Sequence, residues 1–340
     1  MTAEKGPIRI AVDAMGGDHA PGEIVKGAVE FAKSGDAQIL LVGDPEQVGA
    51  ELAKHDTEGA PIAVIPSDGV IKEGDAPALA LRQNPRASIL VSTGLVKKGQ
   101  ADASVTMGST GGAMAAAAVI LGLAKGIERP ALGGPVIGMA PRTVIVDLGT
   151  NVDCRPQQLV SFAVIGDVFA KHFWNIEKPR VALLSVGAES GKGNRQVRET
   201  SELLEKSGLN FVGNVEAHDL LTNSVEVAVC DGFVGNIVMK LTEGIGRATA
   251  DLLRTRLDGK MAGEDVDSVA DEIFELSNQV ETRGGGPLFG VNGVSVVGHG
   301  AARAEAVKRA IGMAKLAVDT GFVSQMYHDL ESVHARLEEQ

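Results

Sequence analysis

The sequence predicts an α/β fold built on a mainly parallel sheet with helices on both faces. Three observations predict it. Short apolar runs alternate with longer helical patterns along almost the whole chain, which is the signature of repeated βαβ units. With 340 residues, 44% of them hydrophobic, the chain can bury a large core. The ends of the apolar runs carry Gly, Asp and Asn, residues that turn a strand toward a helix and let backbone approach a ligand.

The elements follow in order. Ile8, Ile10 and Val12 mark a strand over 9–14, and Pro21 opens a helix over 21–33. QILLVG (38–43) and IAVIP (62–66) read as strands, as does ASVTM (103–107), which is followed by a small-residue turn and an Ala-rich helix over 112–124. TVIVD (143–147) is a further strand, with Pro156 in the first turn of a helix over 157–173. Strands at 181–186, 210–216 and 225–230 enclose a helix at 195–206, and the last strong helix spans 303–320.

Between Phe233 and Val280 the pattern changes to two long helical stretches around a Gly-rich break at 258–263. In the second stretch Val266, Val269, Ala270, Ile273, Phe274 and Val280 share one face, with Asp267, Asp271, Glu272 and Glu275 outside it. This reads as one domain over 1–340 with a helical hairpin inserted at about 237–281. Packing against the core or a second subunit suits such a face; the acidic opposite face suits an anionic membrane poorly.

Composition excludes several classes. Aromatics make up 3% of the chain, with one Trp and one Tyr, and the net charge is −12; neither suits a nucleic-acid binder. Cys154 and Cys230 lack CxxC spacing and read as reduced, buried thiols, without a disulfide framework or zinc ribbon. The chain shows neither a secretion-signal pattern nor an apolar run of roughly 18 residues, so a cytoplasmic location is expected. HExxH, GxSxG and GxGxxG are missing, and the seven histidines lack metal-ligand spacing.

The candidate chemistry sits in the loops. DAMGGDHAP (13–21) offers Asp13, Gly16, Gly17, Asp18 and His19 at a strand end, where open α/β sheets place their sites. GSTGGAM (108–114) offers Gly108, Ser109, Thr110 and Gly111 at a helix start, where N–H groups and hydroxyls favour an anion such as phosphate; a tight turn capped by Ser109 or Thr110 is the structural alternative. In DLGTNVDC (147–154), Asp153 reads as the cap of the next helix and Asn151 as the better ligand candidate. GAESGKGN (187–194) fails the P-loop spacing but presents a lone cation, Lys192, suited to neutralising an anion or else simply solvated. CDGFVGN (230–236) offers Asp231, a potential helix cap, and Asn236, which reads as the start of the next helix and whose amide can hold a carbonyl or a phosphate oxygen. EAHDLLTN (216–223) supplies His218, and the Gly-rich segments 284–293 and 298–302 supply Asn292 and His299.

In this order, DAMGGDHAP, DLGTNVDC, GKGN, DLLTN, CDGFVGN with the following Leu241–Gly244, and PLFGVNG with GHG resemble the motifs of the bacterial phosphate acyltransferase family. The sequence departs from that pattern at Ser109, where the family has Asn, at Gly112, where it has Ala, and at His218, where Asn is more usual. The resemblance implies a three-layer α/β/α sandwich like phosphotransacetylases and isopropylmalate dehydrogenases, with its cleft at the carboxyl ends of the strands. It implies a homodimer without cofactor or metal that moves a fatty acyl group from acyl carrier protein (ACP) to inorganic phosphate. The acyl phosphate would pass to a membrane glycerol-phosphate acyltransferase for phospholipid synthesis, and the hairpin would give peripheral membrane contact. On this view Lys192, Asn236 and Asp231 are catalytic and the remaining loop residues bind substrate in one shared pocket. The rival readings are an NAD- and metal-dependent dehydrogenase of the isopropylmalate type and a non-catalytic ACP scaffold.

Overall fold

The computed structural model describes residues 6–339. The chain falls into two compact units: residues up to 124 together with 283–325, and residues 125–282 together with those from 326 onward. The first stretch runs β1 (Arg9–Asp13), α1 (Gly22–Ala32), β2 (Gln38–Gly43), α2 (Pro45–Leu52), β3 (Ile62–Pro66), α3 (Pro77–Gln83), α4 (Ser88–Lys97), β4 (Ala103–Thr106) and α5 (Thr110–Ala116). Then come β5 (Ala131–Gly134), β6 (Val144–Val146), α6 (Pro156–Trp174), β7 (Val181–Leu184), α7 (Arg195–Ser207), β8 (Phe211–Val215), β9 (Val227–Val229), α8 (Gly232–Leu257), α9 (Gly263–Ser277) and α10 (Gln279–Thr282). The chain ends with β10 (Gly286–Phe289), β11 (Val294–Val297), α11 (Ala304–Asp319) and α12 (Phe322–Glu338).

In the first unit the strand order is β3-β2-β1-β4-β11-β10, parallel except for β10, which forms a hairpin with β11. Apolar residues occupy both sides of these strands because both are covered. Ala11, Leu40 and Val42 pack under Leu95 of α4, while α1 and α11 lie together against the sheet. Those two helices cross at Gly27, where a Cβ would run into the Ala304 carbonyl. The parallel register brings Asp13, Thr106 and Val297 to the same sheet edge.

The second unit has the order β5-β6-β9-β7-β8, with β5 antiparallel and the other four parallel. Helix α6 packs on β6, β9 and β7, and Gly166 lets it approach so closely that a Cβ would strike Val227. Beneath the opposite face lies a cluster of Ile145, Ala182, Leu184, Ala228 and Val136, joined by Val234, Val238 and Met239 of α8. Helices α8 and α9 pair as a hairpin. Among the described residues, no helix is long and apolar enough to cross a membrane.

Differences from the sequence reading lie mainly at element ends. The Ala-rich helix starts at Thr110 and finishes in a π-turn over Ala117–Leu121. Helix α9 buries Val266 and Ala270 but leaves Val269 exposed, so its apolar stripe is narrower than the sequence suggests.

Candidate functional site

Asp13 ends β1 with only 2% exposure. Its Oδ2 accepts the Thr106 hydroxyl at 2.7 Å and its Oδ1 accepts the Met15 N–H at 3.2 Å. Burial, the main cause, pushes its carboxyl above the ordinary range against the lowering effect of these hydrogen bonds. The Thr106 oxygen in turn accepts the Gly108 N–H at 3.0 Å. Gly16 has to be small here, since a Cβ would collide with the Asp13 carboxylate and the Gly108 nitrogen. Gly17, at φ +106°, lies against Met107 and the Gly300 carbonyl, which also accepts the Asp18 N–H at 2.8 Å. His299 Nδ1 accepts from Ala301 N at 3.3 Å, holding the third loop.

Asp13, Gly16, Gly17, Asp18, Gly108 and His299 are thus brought to one edge of the first sheet. Ser109 caps α5, its Oγ accepting the Gly112 N–H at 3.2 Å. The N–H groups of Ser109, Thr110 and Gly111 have no protein acceptor among the described residues. Free donors at a helix start, where the peptide dipoles sum to partial positive charge, suit an anion. Asn292 does not join them. It precedes β11, whereas His299 follows it, so the strand separates them and Asn292 packs beside Gly122 at the opposite edge. His19 is turned outward, into a cleft beside α1.

In the second unit the organiser is Asp147, fully buried after β6. Its Oδ1 accepts the N–H groups of Leu132, Gly149 and Thr150, and its Oδ2 accepts the Thr150 hydroxyl, the Asn151 N–H at 2.8 Å and Asn151 Nδ2 at 2.8 Å. Asn151, 2% exposed, spends its amide N–H groups on Asp147, Pro130 and Thr150; its Oδ1 is without a partner among the described residues. The Asn151 carbonyl accepts the Gly232 N–H at 2.7 Å, tying this loop to the start of α8. Asp231 caps α8 through Val234 N at 2.9 Å. Asn236 lies one turn into α8, exposed, with its side chain against Gly149. A Cβ on Gly149, itself at φ +132°, would press on the Asn236 amide oxygen at 3.3 Å.

Lys192 follows β7, exposed and without a carboxylate within 4.0 Å among the described residues. Its loop is anchored by Asn214 Nδ2 and by Gln196 Nε2, which donates to the Cys154 carbonyl at 2.7 Å. His218 follows β8 with 73% side-chain exposure, beside Glu216 and Asp219. Because β6, β9, β7 and β8 are parallel neighbours, Asn151, Asp231, Lys192 and His218 share one sheet edge in that order.

Three sequence readings are corrected. Asp153 does not cap α6: Pro156 at the first helical position sets the boundary at Arg155, whose N–H donates to Gln158 at 2.7 Å, and Asp153 is exposed. Cys154 is half-buried rather than buried, and its thiol is pushed up to about 12 by that burial and by Asp147 and Asp231. Asn236 does not begin α8, which starts at Gly232. Two positioning residues went unassigned in the sequence, Thr106 and Asp147. For Asp147 a signal existed, because Asp ahead of a Gly turn readily accepts the N–H groups that follow it.

A family model described as "Fatty acid synthesis protein" matches residues 8–325. A phosphate acyltransferase of Pelotomaculum thermopropionicum is 42% identical over 332 residues, 97% of each chain, and one of Acaryochloris marina is 43% identical over 318 residues, 92% of each. Among solved structures, a phosphotransacetylase from Streptococcus pyogenes matches with TM-score 0.62 at 19% identity, over 92% of this chain and 94% of that one. The EutD phosphotransacetylase from Staphylococcus aureus matches with TM-score 0.57 at 16% identity, over 92% and 94%. At these identities the structural likeness shows the fold, an α/β sandwich. The sequence relatives show more: the chain belongs to the phosphate acyltransferase family and is an acyltransferase.

Proposed function

We propose that the protein transfers a fatty acyl group from acyl-ACP to inorganic phosphate, releasing acyl phosphate and the carrier thiol. A phosphate oxygen attacks the thioester carbonyl, a C–O bond forms, and the oxyanion collapses with cleavage of the C–S bond. The leaving thiolate has a parent pKa of about 8.5 and takes up its proton from water. Phosphate is already nucleophilic at neutral pH, so positioning and charge stabilisation supply the catalysis, without cofactor, metal or covalent enzyme intermediate.

The observation that carries this reading is the row of free N–H groups at Ser109, Thr110 and Gly111, a ready seat for a phosphate anion. In the proposed assignment Lys192 offsets phosphate charge, Asn236 polarises the thioester oxygen, and Asp231 acts by fixing the start of α8 on which Asn236 stands. Asp13, Gly16, Gly17, Asp18, Asn151, His218 and His299 complete the substrate contacts. The acyl phosphate, an activated mixed anhydride, would be consumed by a membrane acyltransferase acting on glycerol phosphate in phospholipid synthesis, and the enzyme would work in the cytoplasm.

The homodimer is part of the proposal. Phe233, Ile237, Leu241 and Ile245 recur every four residues on α8 and are all exposed, a stripe suited to a second copy or to peripheral membrane contact. Leu241→Asp is expected to convert a dimer to a monomer in sedimentation velocity, and an unchanged coefficient would remove the stripe from the interface.

Trapping with hydroxylamine tests the reaction. Acyl-ACP with enzyme is expected to yield acyl hydroxamate rapidly only when phosphate is present. Phosphate-independent yield would refute the proposal, and reduction of NAD with a hydroxyacid and magnesium would support the dehydrogenase reading instead.

A further inference from the structure

Lys192 carries an uncommitted charge on a loop that is only loosely held. The loop joins β7 to α7; residues 188–192 are all exposed, and Gly191 and Gly193 sit at φ +87° and +101°. The Lys192 stem folds back over Gly187, where a Cβ would meet its Cγ at 3.2 Å and the Glu189 carboxylate at 2.9 Å. One turn closes within the loop, from the Lys192 N–H to the Glu189 carbonyl at 3.1 Å. The N–H groups of Ala188, Glu189, Ser190, Gly191 and Gly193 have no protein acceptor among the described residues.

Two unsatisfied acceptors lie against this loop. Asn214, on the edge strand β8, extends Nδ2 to the Glu189 and Lys192 carbonyls, but at 3.4 Å each, near the limit of a hydrogen bond. Its Oδ1 is buried without a partner among the described residues, and turning the amide over does not help, because the oxygen would then face the two carbonyls. The Ser185 hydroxyl, one residue past β7, is likewise buried and unpartnered, 3.0 Å from the position a Gly193 Cβ would take. Leu183 is opposite Asn214 in the register, so Ser185, two residues on, shares its face of the sheet.

We propose that Ser185 and Asn214 are positioning residues for Lys192: when phosphate binds, the loop settles onto them, its free N–H groups close on the two orphaned oxygens, and the ammonium is fixed on the anion. The inference rests on the role given to Lys192 above. Buried polar atoms in folded proteins are nearly always paired, and here the segment that touches the unpaired acceptors carries the unpaired donors. The far end of the loop is already anchored. Arg198 Nη1 donates to the Gly193 carbonyl at 2.8 Å and Asn194 caps α7 through Val197 N at 2.9 Å. Movement is thereby confined to 187–193, where the glycines supply the backbone freedom. Without an anion, the long Asn214 contacts give little reason to close; attraction between phosphate and Lys192 supplies the difference between the two arrangements.

Ser185→Ala separates positioning from architecture. It removes a hydroxyl that makes no hydrogen bond in the present arrangement, so a purely structural role predicts equal or higher stability and unchanged kinetics. Positioning predicts equal or higher stability together with a fall of about three- to tenfold in kcat/KM for phosphate, carried by KM, and an unchanged KM for the acyl donor. Asn214→Ala should act on the same parameter, and in a Lys192→Ala background neither substitution should lower turnover further. Hydrogen exchange on the full chain gives a readout besides activity: inorganic phosphate should slow the amides of 188–193 in the wild type and much less in either variant. Wild-type kinetics in both variants would overturn the proposal, as would a further loss in the Lys192→Ala background or exchange in the loop that ignores phosphate. A Lys192→Ala enzyme with full turnover ends the role of Lys192 and this proposal together. Absence of acyl hydroxamate with the wild type refutes the acyl-transfer reading alone, and the phosphate dependence of exchange then decides loop closure by itself.

Discussion

Thr106 donates its hydroxyl to Asp13 at 2.7 Å, joining the ends of two adjacent parallel strands from positions 93 residues apart. The same oxygen accepts the Gly108 N–H, so one hydroxyl links the buried carboxyl of the first glycine loop to the backbone of the second. The loop at Ser109–Gly111, the proposed phosphate seat, is therefore held from beneath by a side chain that need not touch a ligand.

Thr106→Val keeps the shape and removes both hydrogen bonds. The Asp13 oxygen and the Gly108 N–H are then left unpaired, and a loss of about 1–3 kcal/mol is expected in denaturant unfolding. KM for phosphate should rise, and Thr106→Ser should restore both quantities. A valine variant with wild-type stability and KM would show that the hydroxyl does not organise the loop.

Asp13 also makes stability depend on pH, with a sign opposite to that of an ion-paired carboxylate. Burial raises its folded pKa above the ordinary value of 3.8, so the folded state holds this proton more tightly than the unfolded chain. Its contribution to stability is fully present below the unfolded pKa and is lost as pH rises through the raised folded value. Asp13→Asn, which cannot ionise, should flatten the decline of the unfolding midpoint across that window. Parallel profiles for variant and wild type would contradict the assignment.

Lys192 is exposed and makes no ion pair among the described residues, so Lys192→Ala should leave thermal stability unchanged. If the ammonium acts on developing charge, phosphate-dependent turnover should fall roughly a hundredfold or more. Hydroxamate formation measures this directly, and unchanged turnover would exclude Lys192 from the reaction.

The degree to which the sequence was legible follows from which signals are local. β2 coincides with the run QILLVG because a buried parallel strand is continuously apolar, while β3, the half-buried edge strand, coincides with IAVIP, a short run of apolar residues closed by Pro66. Helix α2 leaves little periodicity in the sequence, because it buries only Val48, although Asp44 caps it and Pro45 opens it. Helix α4 is apolar nearly all round, which erases the helical period. The loops were recognisable as loops, but their placement was not. Asn292 and His299 look equivalent in sequence, and only the antiparallel turn from β10 into β11 sends the first to the far edge. Nor does any local pattern place Asn236 against Gly149, a contact that depends on how α8 leaves β9.

The cysteines provide the last test, since a half-exposed thiol close to the candidate residues invites the idea of a covalent acyl-enzyme. Cys154 donates to the Asn151 carbonyl at 3.2 Å, and partial burial together with Asp147 and Asp231 pushes its thiol from 9.0 up to about 12. Cys230 is buried and also pushed up, chiefly by burial and then by Asp231 and Asp147. Three pKa units correspond to about a thousandfold less thiolate at neutral pH, and the thiolate is the nucleophile. Iodoacetamide should therefore modify the folded protein far more slowly than the unfolded chain, and Cys154→Ser should retain phosphate-dependent turnover. Rapid alkylation of Cys154 with parallel loss of activity would instead require an acyl-cysteine intermediate and a different mechanism.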